Sequence, residues 1–177
     1  IGGTGVVTIG ALLGTAAHLD GLGATVMDQV GLAQKGGSVV THVRIAANNA
    51  AIKTNIIGNG KTDLLLGCDM LTAADPKNTQ RYGTGRTNAI INLQEQFVGH
   101  FAAEPDMQFP NEEVKRVLGS ITAHQSYTHI SQIATHLLGD SIAGNMLALG
   151  MAYQKGLLPV SGAALMRAIE MNGQAIK

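Results

Sequence analysis

The sequence predicts an α/β protein with an open, mostly parallel sheet and a helical C-terminal third. Segments typical of strands alternate with segments typical of helices, which is the pattern of a layered α/β sheet. Residues 63–68 form a continuous apolar run, as in a central parallel strand covered on both faces. The chain has 177 residues with 23 glycines and only 3% aromatic residues, which favours close packing of helices on the sheet. Its length indicates one domain over residues 1–177.

In the first half of the chain, apolar periodicity predicts a helix over residues 4–19, which the Gly21-Leu22-Gly23 run ends. Alternating or continuous apolar runs then predict four strands, at residues 24–28, 38–46, 52–57 and 63–68. The Gly58-Asn59-Gly60 run is a turn signal after the third of these strands.

The second half of the chain is predicted to be mainly helical. A helix over residues 70–82 breaks near Pro76, and residues 87–93 form the last predicted strand. A short helix covers residues 111–118. Three further helices cover residues 130–138, 141–154 and 161–171. Asp140 or Ser141 is expected to cap the second of these three helices.

Composition and charge exclude several classes of function. Twelve basic and twelve acidic residues give a net charge of zero, which disfavours nucleic-acid binding. No apolar run reaches the roughly 18 residues of a membrane span. The single cysteine, Cys68, cannot close a disulfide within the chain or supply the four thiolates of an iron–sulfur cluster. The single cysteine favours a reducing, cytoplasmic setting. The six histidines show no metal-ligand spacing, so we predict no metal site.

The first candidate site is the glycine turn of Gly2, Gly3, Thr4 and Gly5, which leads into the first helix. Glycines let backbone N–H groups converge at a helix N-terminus, where an anion or a close-packed partner fits. Three interpretations remain open: a dinucleotide site, a ligand-free connection or a partner-contact loop. Thr8 stands where the third Gly or Ala of a dinucleotide fingerprint belongs, while Asp28 lies where such folds place their ribose-binding acid.

The second candidate site is the loop of Gln34, Lys35, Gly36, Gly37 and Ser38, which follows the end of a predicted strand. Open α/β sheets place their ligands at such ends, although a solvated turn is an equal alternative. Cys68 also follows a strand and is expected to be buried and inert. No combination of nucleophile, base and acid can be recognised in the sequence, which therefore predicts no catalytic residue.

Four motifs occur in order over nearly the whole chain: IGGTGVVT at residues 1–8, GLAQKGGSV at 31–39, DLLLGCD at 63–69 and LGDSIAGN at 138–145. Together they resemble the gamma domain of 2-oxoacid:ferredoxin oxidoreductases. The last two motifs and the Gln34-Lys35 pair resemble the indolepyruvate branch in particular. Thr4 departs from the wider family, which has Gln at that point.

This resemblance implies a Rossmann-like three-layer fold and a supporting role in a larger enzyme. The holoenzyme would decarboxylate a 2-oxoacid on thiamine diphosphate, pass electrons through iron–sulfur clusters to ferredoxin, and release acyl-CoA. The resemblance implies that other domains or subunits bind these cofactors, so that this domain binds none and is inactive alone. Both glycine loops would face partner domains or the channel for substrate and CoA, and a homodimer stays open. The last motif adds Asp140, Ser141 and Asn145 as candidate site residues.

The alternative function is that of a Rossmann-type nucleotide-binding enzyme, which depends on the glycine turn and Asp28. The chain also starts at Ile1, without Met, on a turn that usually follows a buried strand. Large fused members of the resembled family carry the domain internally. We therefore expect this chain to be a fragment of a longer one.

Overall fold

The computed structural model describes residues 5–30, 38–95 and 109–173 of the chain. The helices and strands, in chain order, are α1 Val6–Leu19, β1 Gly23–Val30, β2 Val39–Ala46, β3 Leu64–Gly67, α2 Met70–Ala74, α3 Pro76–Thr79, β4 Asn88–Asn92, α4 Asn111–Ile121, β5 His124–Thr128, α5 Ile130–Leu138, α6 Gly144–Gln154 and α7 Gly162–Asn172. Short 3₁₀ turns at Asn49–Ala51 and Ser141–Ala143 interrupt the loops.

A parallel sheet of three strands, in the order β3-β4-β5, forms the centre of the described fold. Leu64 of β3 pairs with Asn88 of β4, which pairs on its other side with His124 of β5. Side chains of β4 alternate between the two faces, so that Ile91 packs with α2 and α4 while Ile90 packs with α5 and α6. Helices on both faces confirm the predicted three-layer α/β class.

Strands β1 and β2 form a separate antiparallel hairpin, with a register running from Gly23↔Ala46 to Val30↔Val39. Helix α1 packs on this hairpin at glycine positions: a Cβ on Gly10 would meet Thr41 Cγ2 at 2.6 Å. The second candidate loop therefore connects the two strands of an antiparallel pair. Its residues 31–37 lie outside the described residues.

Helix α1 ends as its glycines predict. Gly21 has φ +73°, and Leu22 N–H donates to Ala17 O while Gly21 N–H donates to His18 O. This pattern of bonds is a Schellman motif. The adjacent Asp20 carboxylate accepts from the backbone N–H (2.5 Å) and hydroxyl (2.7 Å) of Ser161, the N-cap of α7. The end of α1 and the start of α7 are thus held together.

The predicted strand at residues 52–57 is wrong. After the Asn49–Ala51 turn this segment is irregular, because side chains of β2 take the backbone bonds that a ladder would need. Ile57 N–H donates to His42 Nδ1 (3.1 Å), and Ile56 O accepts from Arg44 Nη1 (3.2 Å). The segment is therefore bonded to side chains of β2 and does not form a strand.

Strand β5 was not predicted. Its sequence, His124–Thr128, is polar and has no apolar alternation. It becomes a strand because β4 offers it a parallel ladder partner at all five positions. The other predicted helices and strands are confirmed to within about three residues at each end, the usual range between assignments of termini.

Candidate functional site

The predicted site residues divide into two groups. Seven lie outside the described residues: Gly2, Gly3, Thr4, Gln34, Lys35, Gly36 and Gly37. Six are described: Gly5, Asp28, Ser38, Asp140, Ser141 and Asn145. Of these six, Gly5 and Asn145 lie together, and neighbours that the sequence did not single out form a polar cluster at the carboxyl edge of the parallel sheet.

The cluster begins where β3 ends. A Cβ on Gly67 would lie 2.6 Å from Ile91 Cδ1, so glycine leaves room for the Ile91 side chain of the paired strand. Asp69 follows, 5% exposed, and its carboxylate accepts from Thr72 N–H at 2.6 Å as the N-cap of α2. Residues 67–69 therefore form a tight strand-to-helix turn in which a buried carboxylate holds the helix start.

Cys68 lies between these two residues, and its surroundings disfavour the reactive thiolate. Burial, reinforced by the negative charge of Asp69, raises the pKa of the Cys68 thiol to about 11. The thiol is therefore protonated at neutral pH, whereas nucleophilic attack needs the thiolate. The structure agrees with the predicted inert cysteine.

Asn92, at the carboxyl end of β4, joins three elements. Its side-chain amide donates to Cys68 O (3.3 Å) and to Ser131 Oγ (2.7 Å). Its amide oxygen accepts from Ser131 N–H (3.3 Å) and from Gln94 N–H (3.3 Å). Asn92 is 7% exposed, so this network ties the ends of β3 and β4 to the first turn of α5 without solvent.

The structure brings Gly5 and Asn145 together. Gly5 has φ +77°, and a Cβ built on it would lie 3.0 Å from Asn145 Nδ2. Asn145 is 9% exposed and lies in the first turn of α6. The preceding Gly144 packs against α5, since a Cβ there would lie 3.3 Å from Ile130 Cγ2. The first motif and the last motif of the sequence thus meet beside the Asn92 network.

The other described candidates lie at exposed positions. Asp140 caps the turn that starts at Ser141, because its carboxylate accepts from Ile142 N–H at 2.9 Å. Ser38 is exposed just before β2. Asp28 lies within β1, which continues two residues further, and its carboxylate accepts from Thr41 Oγ1 at 2.5 Å. Asp28 is therefore bonded across the antiparallel hairpin and does not end its strand as predicted, which weakens the dinucleotide interpretation.

Sequence reasoning missed three polar residues that the fold buries or uses: Asn92, Ser131 and His42. Asn92 ends an apolar strand, and its polar side chain at that position is the one feature of the sequence that could have indicated a site residue. His42 is 2% exposed, and no metal-ligand spacing in the sequence singles it out. Its Nε2 has no hydrogen-bond partner among the described residues. Burial, followed by the charge of Arg81, lowers the pKa of His42.

The edge residues do not fit the cofactors that the resemblance implies for the holoenzyme. The whole chain has one cysteine, whereas a cluster needs about four thiolates. Both amide donations from Asn92 are used within the fold, and Asp69 would place a negative charge toward a diphosphate. Within the described residues no three His, Cys, Asp or Glu side chains come together as a metal site. No helix in the described ranges is long and apolar enough to cross a membrane.

Comparison with known protein families identifies the family to which the chain belongs. A family model described as pyruvate ferredoxin/flavodoxin oxidoreductase matches residues 1–176. The chain belongs to this family. Membership confirms the resemblance drawn from the four motifs, and all four lie within the matched range of this oxidoreductase family.

Among curated proteins, the chain is similar to two indolepyruvate oxidoreductase subunits named IorB. The protein from Archaeoglobus fulgidus is 27% identical over 157 residues, which cover 86% of this chain and 72% of the relative. The protein from Methanothermobacter thermautotrophicus is 25% identical over 174 residues, covering 97% and 84%. The alignment therefore covers most of the length of both relatives.

Two solved structures share the fold of this family member. The pyruvate oxidoreductase subunit PORC from Thermotoga maritima superposes with a TM-score of 0.64 at 15% identity, covering 96% of this chain and 79% of that one. The 2-oxoglutarate:ferredoxin oxidoreductase from Magnetococcus marinus gives 0.63 at 18% identity. In the second case the superposition covers 97% of this chain but only 25% of the larger protein.

Proposed function

We propose that this chain is the gamma-type domain of an indolepyruvate-type 2-oxoacid:ferredoxin oxidoreductase. In this proposal the complete enzyme decarboxylates the 2-oxoacid on thiamine diphosphate, transfers electrons through iron–sulfur clusters to ferredoxin, and forms acyl-CoA. The domain itself binds none of these cofactors. It assembles with catalytic partners in the cytoplasm and supports their active site.

Family membership carries this proposal, and the names of the two curated relatives favour indolepyruvate as the substrate class. Both relatives are named as subunits, which supports a role within an assembly. The chemistry of this chain agrees, because its one thiol is buried and protonated and its edge network is satisfied internally. Such an edge offers a partner subunit a fixed contact surface and contributes no reactive group.

Reconstitution tests the proposal. The chain and its partner subunits would be purified separately and mixed, and ferredoxin reduction followed with indolepyruvate, CoA and thiamine diphosphate. We expect turnover only in the mixture, with indolepyruvate preferred over pyruvate and 2-oxoglutarate. Turnover by this chain alone would contradict the supporting role. A mixture that prefers pyruvate would contradict the substrate class.

A matched pair of variants tests the role of the glycine loops. We expect Gly36→Trp to reduce assembly or turnover, because a large side chain blocks close approach of a partner to the second loop. Gly119→Trp is the control, since Gly119 is exposed on α4 and a Cβ there meets nothing within 4 Å. Equal activity of the two variants in the reconstituted enzyme would count against partner-facing loops.

A further inference from the structure

Strand β1 pairs with β2 on one side, and its outer edge pairs with no other strand in the described ranges. Its register with β2 runs over eight residues, from Gly23 to Val30, without a bulge. The strand contains no proline and one charged side chain, Asp28, which is bonded across the hairpin to Thr41. Natural edge strands are usually protected from pairing with other chains by prolines, charges, bulges or short length. The outer edge of β1 has little of this protection.

The hydrogen bonds of the hairpin show which backbone groups lie along the outer edge of β1. Residues of an antiparallel strand alternate between those bonded to the partner strand and those whose N–H and C=O groups point away from it. The Ala24 N–H donates to Asn49 Oδ1 (3.1 Å), so it points away from β2. By alternation, the N–H and C=O groups of Val26, Asp28 and Val30 point outward as well. Asn49 therefore closes the start of the outer edge, and the rest of it stays open.

Two valines beside this open length are exposed to solvent. Val26 is 38% exposed and Val30 is 65% exposed, and the alternation of side chains places both on one face of the hairpin. A chain bound along the outer edge would cover both valines while it bonds the outward backbone groups. Strand addition works in this way, because main-chain bonds supply affinity and alternate side chains supply specificity.

A second copy of β1 fits this outer edge incompletely. In a symmetric antiparallel pair centred on Asp28, the two Asp28 carboxylates lie opposite each other, which is destabilising. A shift by two residues in one direction places Val30 opposite Ala24, whose N–H is already bonded to Asn49. A shift in the other direction leaves Val26 beyond the end of the other strand. A strand of different sequence can pair with all three outward residues.

We propose that the outer edge of β1 is a docking site for an extended segment of a partner subunit, which adds a third strand to the hairpin. The identity of the partner rests on the proposed function, in which this chain works within an assembly. The outer edge defines the chemistry of the segment: its backbone is extended, and its side chains beside Val26 and Val30 are apolar. A basic side chain opposite Asp28 completes the match.

Hydrogen exchange, read residue by residue, tests the docking site in the full-length protein, both alone and assembled with its partner subunits. We expect the amides of Val26, Asp28 and Val30 to exchange at least about tenfold more slowly in the assembly. The Thr25 and Met27 amides are the internal control, because they point toward β2 and should be slow in both states. Unchanged exchange of the outward amides in the assembly would overturn the proposal.

A matched pair of variants tests the backbone bond at one position. Val30→Pro removes an outward N–H, which an edge strand tolerates, whereas Val30→Thr keeps the N–H and a β-branched side chain. We expect Val30→Pro to weaken binding of the partner subunits about tenfold more than Val30→Thr does, as measured by titration calorimetry. Equal affinities of the two folded variants would overturn the proposal. If circular dichroism shows that Val30→Pro does not fold, the exchange measurement decides.

Three further outcomes separate the docking site from the proposed function. Outward amides already protected in the protein alone, with a dimer in sedimentation velocity, would assign the outer edge to a second copy and overturn the partner assignment. An assembly that turns over indolepyruvate while the outer edge stays unprotected would overturn the docking site alone. An assembly with a protected outer edge that prefers another 2-oxoacid would support the docking site and contradict the substrate class.

Discussion

At the scale of single residues, the main feature of this site is contact between segments far apart in the chain. Gly5 and Asn145 belong to the first and last motifs, yet a Cβ on Gly5 would lie 3.0 Å from the Asn145 amide. Two requirements coincide at Gly5: a left-handed backbone and space beside a buried amide. Glycine is the one residue that meets both without strain.

Substitution of Gly5 separates these requirements. We expect Gly5→Ala to lower the free energy of unfolding by about 1–2 kcal/mol for the left-handed backbone, plus a further loss from crowding of Asn145. Gly139→Ala is the matched control, because Gly139 has the same φ of +77° and a Cβ there meets nothing within 4 Å. Urea denaturation of both variants measures the difference. Equal losses would mean that the Asn145 contact adds no cost.

At the scale of elements, the carboxyl edge is held by side chains that replace backbone pairing where the strands end. Asn92 bonds to Cys68 and Ser131, so it connects the ends of β3 and β4 to the start of α5. Ser161 and Asp20 form a similar junction between α1 and α7. The positions of these loops therefore depend on a few polar bonds, which are partly buried at Asn92 and exposed at Asp20 and Ser161.

Removal of the Asn92 amide tests this dependence. Asn92→Ala leaves Ser131 N–H and Cys68 O without their partner, and we expect a loss of about 1–3 kcal/mol in unfolding free energy. Asn88→Ala, at the other end of the same strand, is the control, because Asn88 makes one side-chain bond of 3.4 Å. Chemical denaturation compares the two variants. A cost at position 92 no larger than at position 88 would contradict the junction.

At the scale of the whole molecule, the hairpin and the residue 52–57 segment are joined by a buried histidine. His42 is 2% exposed, and its Nδ1 accepts from Ile57 N–H. Burial and the charge of Arg81 both disfavour the imidazolium, so the pKa of His42 lies below its ordinary value of 6.5. The native state therefore holds this ring neutral at pH values where the unfolded chain takes up a proton.

Stability should consequently fall in mild acid. Below pH 6.5 the unfolded chain binds the proton of residue 42 first, so the unfolding free energy decreases as the pH is lowered. One such group contributes at most about 1.4 kcal/mol per pH unit. His42→Gln should flatten this slope between pH 6.5 and 5 in thermal or urea unfolding, whereas His124→Gln, at an exposed site, should keep it. An unchanged slope in His42→Gln would refute the assignment.

Prediction from sequence worked where the signal was local. The Ile130–Leu138 helix carries its own periodicity and ends at Gly139, and its bounds were predicted as the structure has them. The apolar run at residues 63–68 likewise predicted a parallel strand, although in the described residues β3 lies at the edge of the three-stranded sheet and β4 at its centre. Prediction failed at β5, which is polar and depends on β4 for its pairing, and at residues 52–57, whose backbone bonds to side chains of β2.

The sequence by itself determined the α/β class, the order of most elements, the inert cysteine and the oxidoreductase family, because periodicity, composition and motif order are local properties. Only the tertiary structure placed Gly5 against Asn145, gave Asn92 its network, and put Asp28 within an antiparallel hairpin. It also left a cavity of about 350 Å³ lined by residues of α1, β2 and β3. These features depend on contacts between distant segments, which packing of the complete chain creates and no local pattern encodes.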